Sequence, residues 1–130
     1  ARLWPADAET RAVARAISAE MHSGFQALRE ELSMDFHARI SGRVPSAKAS
    51  ADICRVVQIW CEARRKSGAG GPFLFGGFTI ADAMFAPVAS RFRTYGLDLA
   101  DFGDTGAAAA YMQAILGLPQ MQEWGEGAAR

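Results

Sequence analysis

Glu20 and His22 carry the side chains best suited to hold a ligand in this chain. A carboxylate can accept from an ammonium. An imidazole with an unperturbed pKa near about 6.5 can donate or accept a proton close to neutrality. On a helix with Ile17 at zero, Arg11, Arg15, Ser18, His22, Phe25 and Arg29 fall between roughly 80° and 160°, and Glu20 near roughly −60°. Glu20 and His22 therefore sit on opposite flanks and do not converge on one site from the same helix. The basic, partly aromatic stripe could face an anion, although a solvated helix face is the plainer reading. Arg91, Arg93 and Tyr95 form a second basic stretch after Pro87. Thr79 and Asp82 are spaced as a capping box, in which each side chain satisfies an amide at a helix start, so their expected role is structural rather than catalytic. Cys54 and Cys61 are seven residues apart. On one helix they are separated by about 10.5 Å of rise, beyond the roughly 7 Å that a disulfide tolerates. They accompany only His22 and His37, which gives no metal-ligand spacing.

These residues need helices to position them. Alanine is abundant and no segment alternates as a strand would, so the expected class is all-α, a bundle of about five helices. Val13, Ile17, Met21, Gly24, Leu28 and Leu32 recur at threes and fours and predict one helix from about Ala6 to Leu32, with Gly24 permitting close packing. A continuation over Met34 to Ile40 would precede the breakers Gly42 and Pro45. A second helix is expected from Ser46 to Lys66. Its inner face would be Ala49, Ile53, Val57, Trp60 and Cys61, with Arg64, Arg65 and Lys66 suiting its negative end. A glycine-rich loop over Gly70 to Gly77 leads to a third helix from Thr79 to Tyr95, in which Pro87 should kink the chain or leave a carbonyl unpaired. A fourth is expected from Thr105 to Leu116, and a short fifth begins at Pro119 and carries Met121 and Trp124. Trp60 and Trp124 are expected core anchors. The stretch from Gly96 to Asp104 carries no regular pattern.

The 130 residues suit one domain with an ordinary core, half of them hydrophobic and 22% charged. Fourteen basic and fourteen acidic residues cancel, leaving no electrostatic footprint for nucleic acid. No apolar run approaches a membrane span, and Arg2, Asp7 and Glu9 interrupt any signal peptide. Two free thiols suit a reducing compartment, so a cytoplasmic location is expected.

Gly71-Pro72-Phe73-Leu74-Phe75-Gly76-Gly77-Phe78, followed by Thr79-Ile80-Ala81-Asp82, closely resembles the helical C-terminal domain of glutathione transferases. Glu20-Met21-His22-Ser23-Gly24-Phe25 is similar to the Glu-Leu-His-x-x-Phe segment of bacterial beta-class enzymes. The tail from Tyr111-Met112 to Leu118-Pro119-Gln120-Met121-Gln122-Glu123-Trp124 looks like that of related beta- and zeta-like transferases. The resemblance spans essentially all of residues 1–130. One departure lies at the cap, where a hydrophobic staple from Phe78 would meet only Ala83, so Phe78 should pack elsewhere.

The resemblance implies a domain whose partner is an N-terminal thioredoxin-like domain, absent here, that activates the thiol with Ser, Cys or Tyr. Ala1 then looks like the end of an interdomain linker, and this chain alone should not be a competent enzyme. It also implies glutathione as co-substrate, a small electrophilic substrate and a homodimer. His22 and Ser23 would contact glutathione in their own subunit, while Ala19 and Glu20 would reach the neighbour's glutathione, Glu20 meeting its ammonium. Phe25, Arg91 and Tyr95 would line the electrophile pocket. Arg91 stands where beta-class enzymes often carry Trp, which implies a more polar pocket. The alternative is a non-catalytic interaction module with the same helical fold.

Overall fold

The computed structural model describes residues 3–33, 39–40, 42, 44–121 and 123. Of the expected continuation over Met34 to Ile40, the part up to residue 38 lies outside the described residues, as does the anchor Trp124, and Arg39 and Ile40 are not helical. Five α-helices and one 3-10 turn form the domain: α1 (Ala8–Ser23), α2 (Gln26–Glu31), α3 (Ala47–Ser67), α4 (Ile80–Thr94), the turn Leu99–Phe102, and α5 (Ala107–Leu116). A further helical stretch at residues 119–121 starts at Pro119 as expected. No strand forms among the described residues. Two isolated bridges, Phe73 with Gly76 and Phe75 with Gly77, close the glycine loop.

The single helix expected from Ala6 to Leu32 is two. Gly24 is extended at φ −108° and ψ −165°, and Phe25 takes the left-handed conformation at φ 58°. The Gly24 amide still donates to the Glu20 carbonyl at 2.8 Å. A Cβ on Gly24 would stand 2.7 Å from that oxygen, so this glycine ends a helix instead of easing helix packing. The break turns Phe25 inward, where it is 7% exposed in the core. The buried face of α1 is also rotated from the expected stripe. Ala14, Ile17, Ser18 and Met21 are buried, whereas Val13 is 48% exposed.

The short α2 leans on α3 at both ends. Asp52 of α3 accepts from the Leu28 amide at 3.1 Å, capping a helix whose own N-cap, Phe25, has no side-chain acceptor. In return, Glu31 accepts from the Ser46 amide at 2.9 Å and from the Ser46 hydroxyl. That hydroxyl also accepts from Ala49 and so caps α3. The α3 bounds match expectation to within a residue, and Gly68 ends it.

Trp60, fully buried on α3, is the centre of the core. Phe85 and Phe92 of α4 and Tyr111 of α5 surround it at ring-centroid distances of 6.0, 5.5 and 4.9 Å. Such edge-on and tilted rings add to the area they bury. α4 runs unbroken through Pro87, which offers no amide to the preceding turn. It packs against both α1 and α5. Phe78 is 43% exposed and stacks edge-on against Phe73 at 5.4 Å, so the staple is replaced by an aromatic pair within the loop.

No helix among the described residues is long and apolar enough to cross a membrane.

Candidate functional site

One hydrogen bond orients α1 relative to α4. The amide of Ile80, first residue of α4, donates at 2.8 Å to the carbonyl of Leu3, just ahead of α1. Both helices therefore start at the same end. α1 has 16 residues and α4 has 15, so they rise about 24 and about 22 Å. Packed side by side, they run in the same direction. His22, Ser23 and Phe25 lie in or just past the last turn of α1, and Arg91 and Tyr95 in or just past the last turn of α4, so both groups lie toward the same pole of the domain. Thr79 and Asp82 lie at the other.

At the first pole, His22 is exposed and its side chain forms no hydrogen bond with a described residue. The Ser23 hydroxyl donates to the Ala19 carbonyl at 2.8 Å, which fixes its oxygen near the helix end with lone pairs to spare. Glu20 turns to the other flank, as its spacing requires. There it holds Arg55 of α3 through two bonds, Nε to Oε2 at 2.7 Å and Nη2 to Oε1 at 2.9 Å. The bonds from Arg55 hold the Glu20 carboxyl below its ordinary value despite partial burial. Arg55 was invisible as a partner in the sequence because it lies 35 residues away on another helix.

The helical stripe of cations does not survive as one surface. Arg11 donates to the Ala6 carbonyl at 3.2 Å, and Arg15 lies over the Trp4 ring at 5.6 Å. Arg29 is carried away by the break at Gly24 and stands on α2. Tyr95, expected as a pocket residue, is 4% exposed. Its hydroxyl donates to the Ser33 carbonyl at 3.1 Å and lies 3.2 Å from the Ser33 hydroxyl. Arg91 is half-buried. Burial depresses its pKa first, and the charge of Arg29 adds to the depression.

At the opposite pole the capping box forms. Asp82 is fully buried, and its Oδ2 accepts from the Thr79 amide at 2.8 Å and the Thr79 hydroxyl at 3.4 Å. Its Oδ1 accepts from the Leu74 amide at 3.2 Å and the Tyr111 hydroxyl at 2.8 Å. Burial pushes this carboxyl up, against hydrogen bonds that favour the anion. All the acceptor capacity of Asp82 is directed to the fold, which supports a structural role.

The stretch without a sequence pattern is also ordered by carboxylates. Asp98 accepts from the Ala100 amide at 3.1 Å. Asp104 accepts from Gly106, Ala108 and Ala109 amides at 2.9, 2.9 and 3.0 Å and so caps α5. Burial alone would raise the Asp104 carboxyl, but these amides hold it low. The sequence Asp104-Thr105-Gly106 before an alanine run was the available signal. The Cys61 thiol lies 3.4 Å from Asp104, and burial and that carboxylate raise its pKa. Both cysteines are free. Among the described residues no three His, Cys, Asp or Glu are grouped to hold a metal ion.

The clefts lined by Cys61 and Phe102, by Val13 and Arg55, by Trp4 and Phe78, and by Pro87 and Met121 include none of His22, Ser23, Phe25, Arg91 or Tyr95.

The fold and residues can be set beside known proteins. A family model described as glutathione S-transferase, C-terminal domain, matches residues 11–114. Among solved structures, a glutathione transferase homolog from Burkholderia gl BGR1 with bound glutathione superposes with a TM-score of 0.61. The two are 24% identical, a likeness of fold, and the match covers 99% of this chain. This chain spans 57% of the length of that one. No curated protein matches. By the extent of the family match, the chain belongs to the glutathione S-transferase C-terminal domain family.

Proposed function

We propose that this domain is the C-terminal half of a glutathione transferase and that the pole formed by the ends of α1 and α4 faces the reacting groups. The observation that carries this reading is the His22 side chain, exposed and without a hydrogen bond to any described residue at the end of α1, within a chain of this family. Glutathione, when bound, supplies the thiolate that attacks an electrophilic carbon or disulfide. The donors present fit such a ligand. His22 offers an N–H toward the tripeptide, and Ser23 retains acceptor capacity beside it. Glu20 keeps 34% of its side chain exposed while Arg55 fixes its direction. A carboxylate so oriented suits the ammonium of a glutathione in the neighbouring subunit of a homodimer. Arg91 borders the electrophile side with Tyr95 behind it, and Phe25 supports the face from within the core. The thioredoxin-like domain, in a cytoplasmic parent enzyme, supplies thiol activation.

Glutathione-resin retention of the complete protein tests the reading. Retention that falls at least tenfold in His22→Ala, with an unchanged helical spectrum, is the expected result. No retention of the complete wild-type protein places the domain instead among non-catalytic interaction modules.

A further inference from the structure

Arg29 and Arg91 share an environment with no counter-charge. Each keeps its Nε buried without a hydrogen-bond acceptor. Neither forms an ion pair with a carboxylate among the described residues. By contrast, Arg55 is bound by Glu20 and Lys66 by Glu62. No carboxylate is among the influences on Arg91, whose charge is opposed by burial first and by Arg29 second, with the Tyr95 phenol acting the other way.

The backbone explains why the two meet. Tyr95, buried at the end of α4, bonds Ser33 just past α2 at 3.1 Å and pins the two helix ends together. Arg91 lies four residues before Tyr95, and Arg29 lies four before Ser33. On α4 a spacing of four sets Arg91 one turn before Tyr95, on the same side of the helix. Arg29 stands on α2 beside this junction, and its charge is felt by Arg91.

We propose that Arg29 and Arg91 form a two-pronged receptor for a carboxylate on the electrophilic substrate. Two neighbouring cations with desolvated Nε atoms repel each other until an anion lies between them. A guanidinium presents its donors in a planar fork that matches a carboxylate, and charge-assisted bonds of this kind are short and strong. The site lies at the same pole as His22, so a carboxylate held there would place the rest of a small molecule beside the proposed glutathione face. The identity of the ligand rests on the transferase reading, whereas carboxylate binding itself does not.

The test uses the purified protein with benzoate as probe and neutral benzamide as control, at constant ionic strength, read by thermal melting. Benzoate should raise the melting temperature in a saturable way and benzamide should not. Arg29→Gln and Arg91→Gln should each weaken the apparent benzoate affinity at least tenfold, while Arg65→Gln, at an exposed arginine, should leave it unchanged. Because the two variants lie on different helices, misfolding of one leaves the other informative. An absent benzoate effect on the wild type, or an undiminished one in both variants, overturns the proposal. In the complete protein, loss of glutathione retention in Arg91→Gln would overturn the assignment to the electrophile, since the fork would then serve the tripeptide. Saturable benzoate binding without any glutathione retention would defeat the transferase reading while leaving the carboxylate receptor in place.

Discussion

Tyr111 of α5 donates its hydroxyl to Asp82 Oδ1 of α4 at 2.8 Å, inside the core and 29 residues away in sequence. Through Asp82 the same carboxylate reaches Leu74 in the glycine loop and Thr79 at the start of α4. A local helix cap is thereby the junction of a loop and two helices. Removing a single hydroxyl leaves a buried acceptor short of one donor, so Tyr111→Phe should cost about 1–3 kcal/mol. Urea denaturation of the variant against the wild type checks this.

The same tyrosine sets a pH response. Burial raises its pKa well above the ordinary 10.0, and the Asp82 charge adds to the rise. A raised folded-state pKa contributes stability that is whole below the unfolded value and is lost as pH climbs past it. Wild-type stability should therefore fall as pH passes about 10, when the unfolded chain loses a proton that the folded chain keeps. Tyr111→Phe should show a shallower alkaline fall in denaturation curves taken across that range.

The opposite sign holds at Glu20. Its carboxyl lies below the ordinary 4.5 because of Arg55, so its contribution is present above that value and fades as pH falls below it. With side chains 42% and 34% exposed, solvent screening limits the pair to about 0.5 kcal/mol. Glu20→Gln should change stability by no more than this near neutrality and remove part of the acid sensitivity. Paired melts at neutral and acidic pH measure the difference.

Arg64 binds the glycine loop closed. The carbonyls of Gly68, Gly71 and Phe73 lie 2.8, 2.6 and 2.6 Å from its Nη1 and share that nitrogen's two N–H groups. Arg64→Met should cost about 1.5–3 kcal/mol, the range for hydrogen bonds to a charged group. It should also make the loop the first site cut in limited proteolysis.

Gly71 in that loop has no room for a side chain. A Cβ there would stand 2.4 Å from the Gly76 carbonyl oxygen, a backbone atom that cannot swing aside. Gly71→Ala should destabilise the domain by about 2 kcal/mol or more, as forced backbone shifts do. A lowered denaturation midpoint in urea is the readout.

What the sequence disclosed were features written in near neighbours. The cap of α4 spans only Thr79 to Asp82, and α3 carries a serine cap, a clean apolar face and a terminal glycine. The break at Gly24 was hidden because the spacing from Met21 to Leu28 stays helical on both sides of it. A left-handed Phe25 has no signature of its own. Glu20–Arg55, Tyr111–Asp82 and Asp52–Leu28 join residues 24 to 35 positions apart, and tertiary packing alone brings them together. The candidate site follows the same division. His22 was evident as a residue type, but which end of the domain it shares with Arg91 and Tyr95 depends on α1 and α4 running in the same direction.

The central claim is that His22 faces glutathione in a two-domain enzyme. Its most direct test is the steady-state conjugation of glutathione to an activated aryl chloride by the complete protein and by His22→Ala. The expected result is a measurable kcat/KM that falls about tenfold in the variant, the effect of losing roughly one hydrogen bond or about 1.4 kcal/mol, with thermal stability unchanged. Equal kcat/KM in both proteins would contradict the placement of His22 at the reacting pole.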